Sequence, residues 1–125
     1  MWNWPCWNRI KKLEEEKVIK SKSIILDNIK INLPITVFLS ISIQSHTELW
    51  LKNFEKVVNK YDQIIEVHRL TGSNSDYQIT ILSPSIEEYD KFQQILITEI
   101  ECTNMSSHIS LQTIKKNHKY PLDYV

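Results

Sequence analysis

After residue 32 the sequence predicts an α+β domain: an antiparallel sheet with both helices on one face, in the order β-α-β-β-α-β. Three observations predict it. From Leu33 to Gln44 the side chains alternate between an apolar set and a mostly small polar set, the period of a half-buried strand. Two later stretches each open on a Ser or Thr capping signal and repeat apolar residues at helical spacing. Two further strand-like runs meet at Gly72, the one glycine in 125 residues. Nineteen isoleucines within an apolar share of 42% favour a sheet-rich core.

Taken in order, residues 3–17 carry a helical pattern. Pro5 suits a first turn, and Cys6, Ile10 and Leu13 share a face, while Asn8, Arg9, Lys11 and Lys12 are polar or basic. Residues 18–31 suit a short strand or two, with a turn near Asp27 and Asn28. In the strand that follows, Leu33, Ile35, Val37, Leu39, Ile41 and Ile43 point one way, and Thr36, Phe38, Ser40, Ser42 and Gln44 the other. Ser45 with Glu48 matches a capping box, and Thr47 is a rival N-cap. The helix stripe is Trp50, Leu51, Phe54, Val57, Val58 and Tyr61. Strands over about Ile64–Thr71 and Asp76–Leu82 flank the Gly72 loop. Ser85 with Glu88 opens a second helix with Tyr89, Phe92, Leu96 and Ile100 inward, and a last strand covers about Met105–Ile114. This is the split βαβ, ferredoxin-like plan. Its second sheet face, Phe38 among small polar residues, suits packing against a second copy of the chain.

The formal charge is zero, but it is unevenly spread. Residues 1–31 hold seven Lys/Arg against four Asp/Glu (+3), residues 32–114 five against ten (−5), and residues 115–125 three against one (+2). A basic head on an acidic body suits contact with nucleic acid at one end, and equally suits ordinary surface variation. No run reaches the roughly 20 apolar residues of a membrane span, and the start lacks an apolar leader, so a cytoplasmic protein is expected. Cys6 and Cys102 lie far apart, and His46, His68, His108 and His118 have no metal-ligand spacing, so no metal or cofactor is expected. No nucleophile-base-acid set is brought together by this plan, and an enzyme is not expected.

Several motifs, in order, resemble the Lrp/AsnC, or feast/famine, family of bacterial and archaeal transcriptional regulators. They are Cys6-Trp7-Asn8-Arg9-Ile10-Lys11-Lys12-Leu13-Glu14, then Val18-Ile19, Leu26-Asp27, Thr71-Gly72, Asp76-Tyr77 and Pro121-Leu122. The resemblance implies a helix-turn-helix remnant over residues 1–31 and a ferredoxin-like ligand-sensing (RAM) domain over residues 32–125. It implies DNA contact through Asn8, Arg9, Lys11 and Lys12, a small amino-acid effector, and a homodimer or higher homo-oligomer. Three departures stand out. The two helices that precede the recognition helix in the family are missing before Met1, so impaired DNA binding is expected. Lys17 replaces a glycine, and the stretch Ser73–Ser75 before Asp76 is longer than in many members.

The loop Thr71, Gly72, Ser73, Asn74, Ser75 and Asp76 is the candidate effector site. Exposed N–H groups near Gly72 could take an α-carboxylate, with the Asp76 carboxylate taking an α-amino group. The residues alone also suit a plain hairpin corner, with glycine for positive φ and Asn, Asp and Ser as turn formers. Likewise Asn8, Arg9, Lys11 and Lys12 alone suit a solvated helix face. A stand-alone metabolite-binding oligomer that modulates full-length relatives is the alternative reading.

Overall fold

A computed structural model describes residues 28–72 and 74–124. The expected N-terminal helix, its Asn8, Arg9, Lys11 and Lys12, the strands before Asn28, and Ser73 lie outside the described residues. Residues 28–113 fall within one compact unit, and residues 114–124 cluster outside it.

In the larger unit the elements are β1 (Ile35–Ser42), α1 (Glu48–Lys60), β2 (Ile64–Arg69), β3 (Tyr77–Ser83), α2 (Ile86–Glu99) and β4 (Asn104–Ile109). The strands form one antiparallel sheet in the order β2-β3-β1-β4. This is the expected βαββαβ plan. A tight turn closes before it: Leu33 N–H donates to Asn28 O at 2.8 Å, and Asn32 takes a φ of 65°, which asparagine tolerates better than most residues.

Strand β1 is central, and its alternation works as the sequence implies. Val37, Leu39 and Ile41 are fully buried, and across the ladder Leu39 pairs with Ile79 and Val37 with Ile81. From the helices, Phe54, Val57, Tyr89, Phe92 and Leu96 close over them, joined by Ile100 at the end of α2. Fully burying a large aliphatic side chain contributes roughly 1.5–3 kcal/mol, so this layer is the main source of stability. Tyr61 meets Phe92 edge-on at 5.1 Å, and the Tyr89 hydroxyl shares a hydrogen bond with Ser107 Oγ, linking α2 to β4.

Three details differ from the sequence reading. Thr47, not Ser45, caps α1: its Oγ1 accepts from Trp50 N–H at 3.1 Å. Leu51 is more than one-third exposed, because the stripe that meets the sheet is centred on Phe54 and Val57. Strand β4 ends at Ile109, five residues short of Ile114, after which only Ser110 N–H still reaches Thr36 O. The second cap is as read: Ser85 Oγ accepts from Glu88 N–H at 3.1 Å.

The other sheet face carries no helix among the described residues, although Thr80 on it is buried. Its central row runs Glu66, Thr80, Phe38 and His108 across β2, β3, β1 and β4. Phe38 is 36% exposed, a large ring in a field of Ser40, Ser106 and Gln78. Residues 114–124 include a short 3-10 turn at Leu122–Tyr124 and a local bond from Lys119 N–H to Asn117 Oδ1.

Candidate functional site

The Gly72 loop joins β2 to β3 beside the C-terminal end of β1. Gly72 has a φ of +135°, and a Cβ there would meet nothing within 4 Å. The glycine is therefore required by conformation rather than by close approach. The loop's neck is closed by Leu70 N–H donating to Asp76 O at 2.8 Å.

Asp76 does most of the anchoring. Its N–H donates to Ile41 O, and its Oδ2 accepts from Ile43 N–H, both at 2.8 Å. That carboxylate thereby satisfies the backbone group at which β1 stops pairing with β3, as a charge-assisted bond. The second oxygen, Oδ1, lies 3.6 Å from His46 Nε2. Ser42 Oγ adds a bond to Asn74 O at 2.8 Å. Thr71, Gly72 and Asn74 remain exposed. The Ser75 hydroxyl is buried without a hydrogen-bond partner, an arrangement that normally costs stability unless something satisfies it. The geometry thus gathers Thr71, Gly72, Asn74, Ser75 and Asp76 into a loop pinned at both ends and open at its tip.

Beside it runs a cleft of about 260 Å³ between the β1–α1 and α2–β4 loops. Its lining includes Gln44, Thr47, Trp50, Glu101, Cys102 and Thr103. The Trp50 indole donates to Glu101 O at 2.6 Å and stacks on Phe54 at 4.8 Å, so the ring bridges the first turn of α1 to the far loop. Thr103 is fixed to Ser42 O through both its N–H and its hydroxyl. Burial pushes the Cys102 thiol above its ordinary range, which disfavours the reactive thiolate.

The sequence pattern does not single out His46 or this cleft. His46 has no metal-ligand spacing, and its proximity to Asp76 spans thirty residues of chain. Glu101 carries no motif. Trp50 at the start of an amphipathic stripe was the one available signal. Among the described residues no group of His, Cys, Asp and Glu could hold a metal ion, and no helix is long and apolar enough to cross a membrane.

At the C-terminal ends of α1 and α2, Glu99 accepts from Lys60 Nζ at 2.7 Å and from the Tyr61 hydroxyl at 2.6 Å. The Lys60 bond, then the Tyr61 bond, holds the Glu99 carboxyl below its usual range, while Glu99 raises both partners. This cluster joins α1 to α2 and stands apart from the loop.

Comparison with known proteins supplies the remaining observations. Residues 36–120 match the family described as the Lrp/AsnC ligand binding domain. The chain is 38% identical over 120 residues to the HTH-type transcriptional regulator Zrp of Zymomonas mobilis subsp. mobilis, covering 96% of this chain and 78% of that protein. Among solved structures, an AsnC family transcriptional regulator from Agrobacterium tumefaciens superposes with a TM-score of 0.82 at 40% identity, over 96% of this chain and 78% of that one. The transcriptional regulator NMB0573 of Neisseria meningitidis, solved as a complex with L-Met, shares the fold with a TM-score of 0.82 at 23% identity, over 96% and 77% of the two chains. These relatives are named as regulators of transcription rather than as enzymes.

Proposed function

Because the chain belongs to the Lrp/AsnC family of transcriptional regulators, we propose that it senses an amino acid or a closely related metabolite through the loop Thr71–Asp76. The observation that carries this reading is the loop's construction: pinned by Asp76 to β1, exposed at Thr71, Gly72 and Asn74, and holding an unsatisfied buried hydroxyl at Ser75. A zwitterion needs donors for its carboxylate and acceptors for its ammonium. The exposed backbone around Gly72 offers the former, and Asp76 Oδ1 with Ser75 Oγ the latter. The solved L-Met complex of NMB0573 supports an amino acid as the class to test first.

The effector would act by linkage. A ligand that prefers one assembly of the subunits shifts the population toward that assembly, and with it the placement of the DNA-reading segments. Self-association through the Phe38 face of the sheet, and DNA contact through Asn8, Arg9, Lys11 and Lys12 in the cytoplasm, complete the proposal. Calorimetric titration with the common amino acids tests the sensing step. Binding of at least one of them, weakened about tenfold or more by Ser75→Ala, on the scale of one lost hydrogen bond in a buried site, supports it. No heat with any amino acid rejects it.

A further inference from the structure

We propose that the cleft between the β1–α1 and α2–β4 loops is a second small-molecule site, one that takes a short alkyl amine by its ammonium group. The cleft is built rather than incidental. Trp50 spans it through its indole bond to Glu101 O, Thr103 is fastened to Ser42 O at 2.8 and 3.0 Å, and Ile43 is held by Asp76. Walls fixed in advance lose little freedom when a ligand enters. At about 260 Å³ the volume sits just below the roughly 300 Å³ at which drug-sized pockets begin, and so suits a small metabolite.

Its chemistry points to a cation. Among the described residues that line it there is no Lys, Arg or His, and the one charged residue is Glu101, exposed and without an ion-pair partner among the described residues. The Gln44 carboxamide and Ser45 hydroxyl add acceptors, and Ile43, Trp50 and Cys102 supply apolar surface for a short chain. An ammonium group donates three hydrogen bonds and is also attracted to an indole ring. The N-terminus of α1 carries about half a positive charge that would oppose a cation. Glu48 in its first turn offsets part of it. An anionic ligand would meet Glu101 with no cationic side chain among the described lining residues to neutralise it.

Calorimetry of the full chain with 1,5-diaminopentane tests the site, with glutarate and 1,5-pentanediol as the anionic and neutral comparators. The diamine is expected to bind once per chain, and the comparators not at all, at millimolar concentration. Glu101→Gln should weaken binding roughly tenfold or more, the scale of one charge-assisted hydrogen bond, without lowering the melting temperature. Gln44→Lys, which brings a competing ammonium to the cleft, should do the same. In a Cys6→Ser background, saturating diamine should slow alkylation of Cys102. Ser75→Ala should leave diamine binding intact, so this site and the effector loop succeed or fail separately. Absence of diamine binding, equal binding of glutarate, or binding indifferent to both Glu101→Gln and Gln44→Lys would overturn the proposal.

Discussion

Replacing Asp76 by alanine tests whether its carboxylate is the fastening that holds the Gly72 loop to β1. The substitution removes a 2.8 Å bond from Ile43 N–H and leaves that part-buried donor unpaired. A hydrogen bond to a charged group is worth about 1.5–3 kcal/mol net, and partial exposure places this one in the lower half of that range. The exposed contact with His46 at 3.6 Å adds little. About 2 kcal/mol of destabilisation is therefore expected, a fall in melting temperature of roughly 8–15 °C for a domain of this size. Urea unfolding followed by circular dichroism measures the first, and the locus is read by amide exchange. Protection at Ile43 should fall roughly 30-fold, the same free energy expressed as local opening. Asp76→Asn keeps an acceptor oxygen in place and should recover at least half of the loss. A stability change under about 0.5 kcal/mol, or Ile43 protection unchanged in Asp76→Ala, would refute the fastening role.

Ser75→Ala should act in the opposite sense on the free protein. Removing a buried hydroxyl that has no partner is expected to leave stability unchanged or raise it by about 1 kcal/mol, measured by the same unfolding curves. Phe38→Glu, on the open sheet face, should shift the assembly toward monomer in sedimentation velocity while the circular dichroism spectrum stays native. The Glu99 cluster makes stability depend on pH at both extremes. Glu99 is lowered in the folded state, so its contribution is full above the ordinary 4.5 and fades as pH falls through the folded value. Lys60 and Tyr61 are raised, so theirs is full below their ordinary 10.5 and 10.0 and fades as pH rises through the folded values. Glu99→Gln should thus be less stable than the parent near neutrality and converge with it in acid. The gap should be small and reduced by salt, because Lys60 is exposed and Glu99 is only half-buried.

The fold was legible because local signals and burial agree along most of the chain. The alternation from Ile35 to Ile43, the Ser85 cap and the spacing of Tyr89, Phe92, Leu96 and Ile100 each specify one face, and that face is buried. Where two local signals compete, the sequence does not decide. Ser45 and Thr47 are both good caps, and the strand's exit from Ile43 selects Thr47. Leu51 has the right chemistry for the core but the wrong angle, and β4 stops at Ile109, opposite Val37 and two residues inside the start of β1. Gly72 was legible as a backbone requirement. What Asp76 touches was not, because Ile43 and His46 reach it only after β1 and β3 pair. The cleft was invisible for the same reason: Trp50 and Glu101 are fifty-one residues apart and share no motif.

On the proposed function, an amino acid binds at the Gly72 loop. The most direct measurement is amide chemical-shift mapping during titration with whichever amino acid gives calorimetric binding. The largest shifts are expected across Leu70–Tyr77 and at Ile43, the residue that Asp76 ties to the loop. Shifts concentrated elsewhere, with residues 70–77 unmoved at saturation, would contradict it.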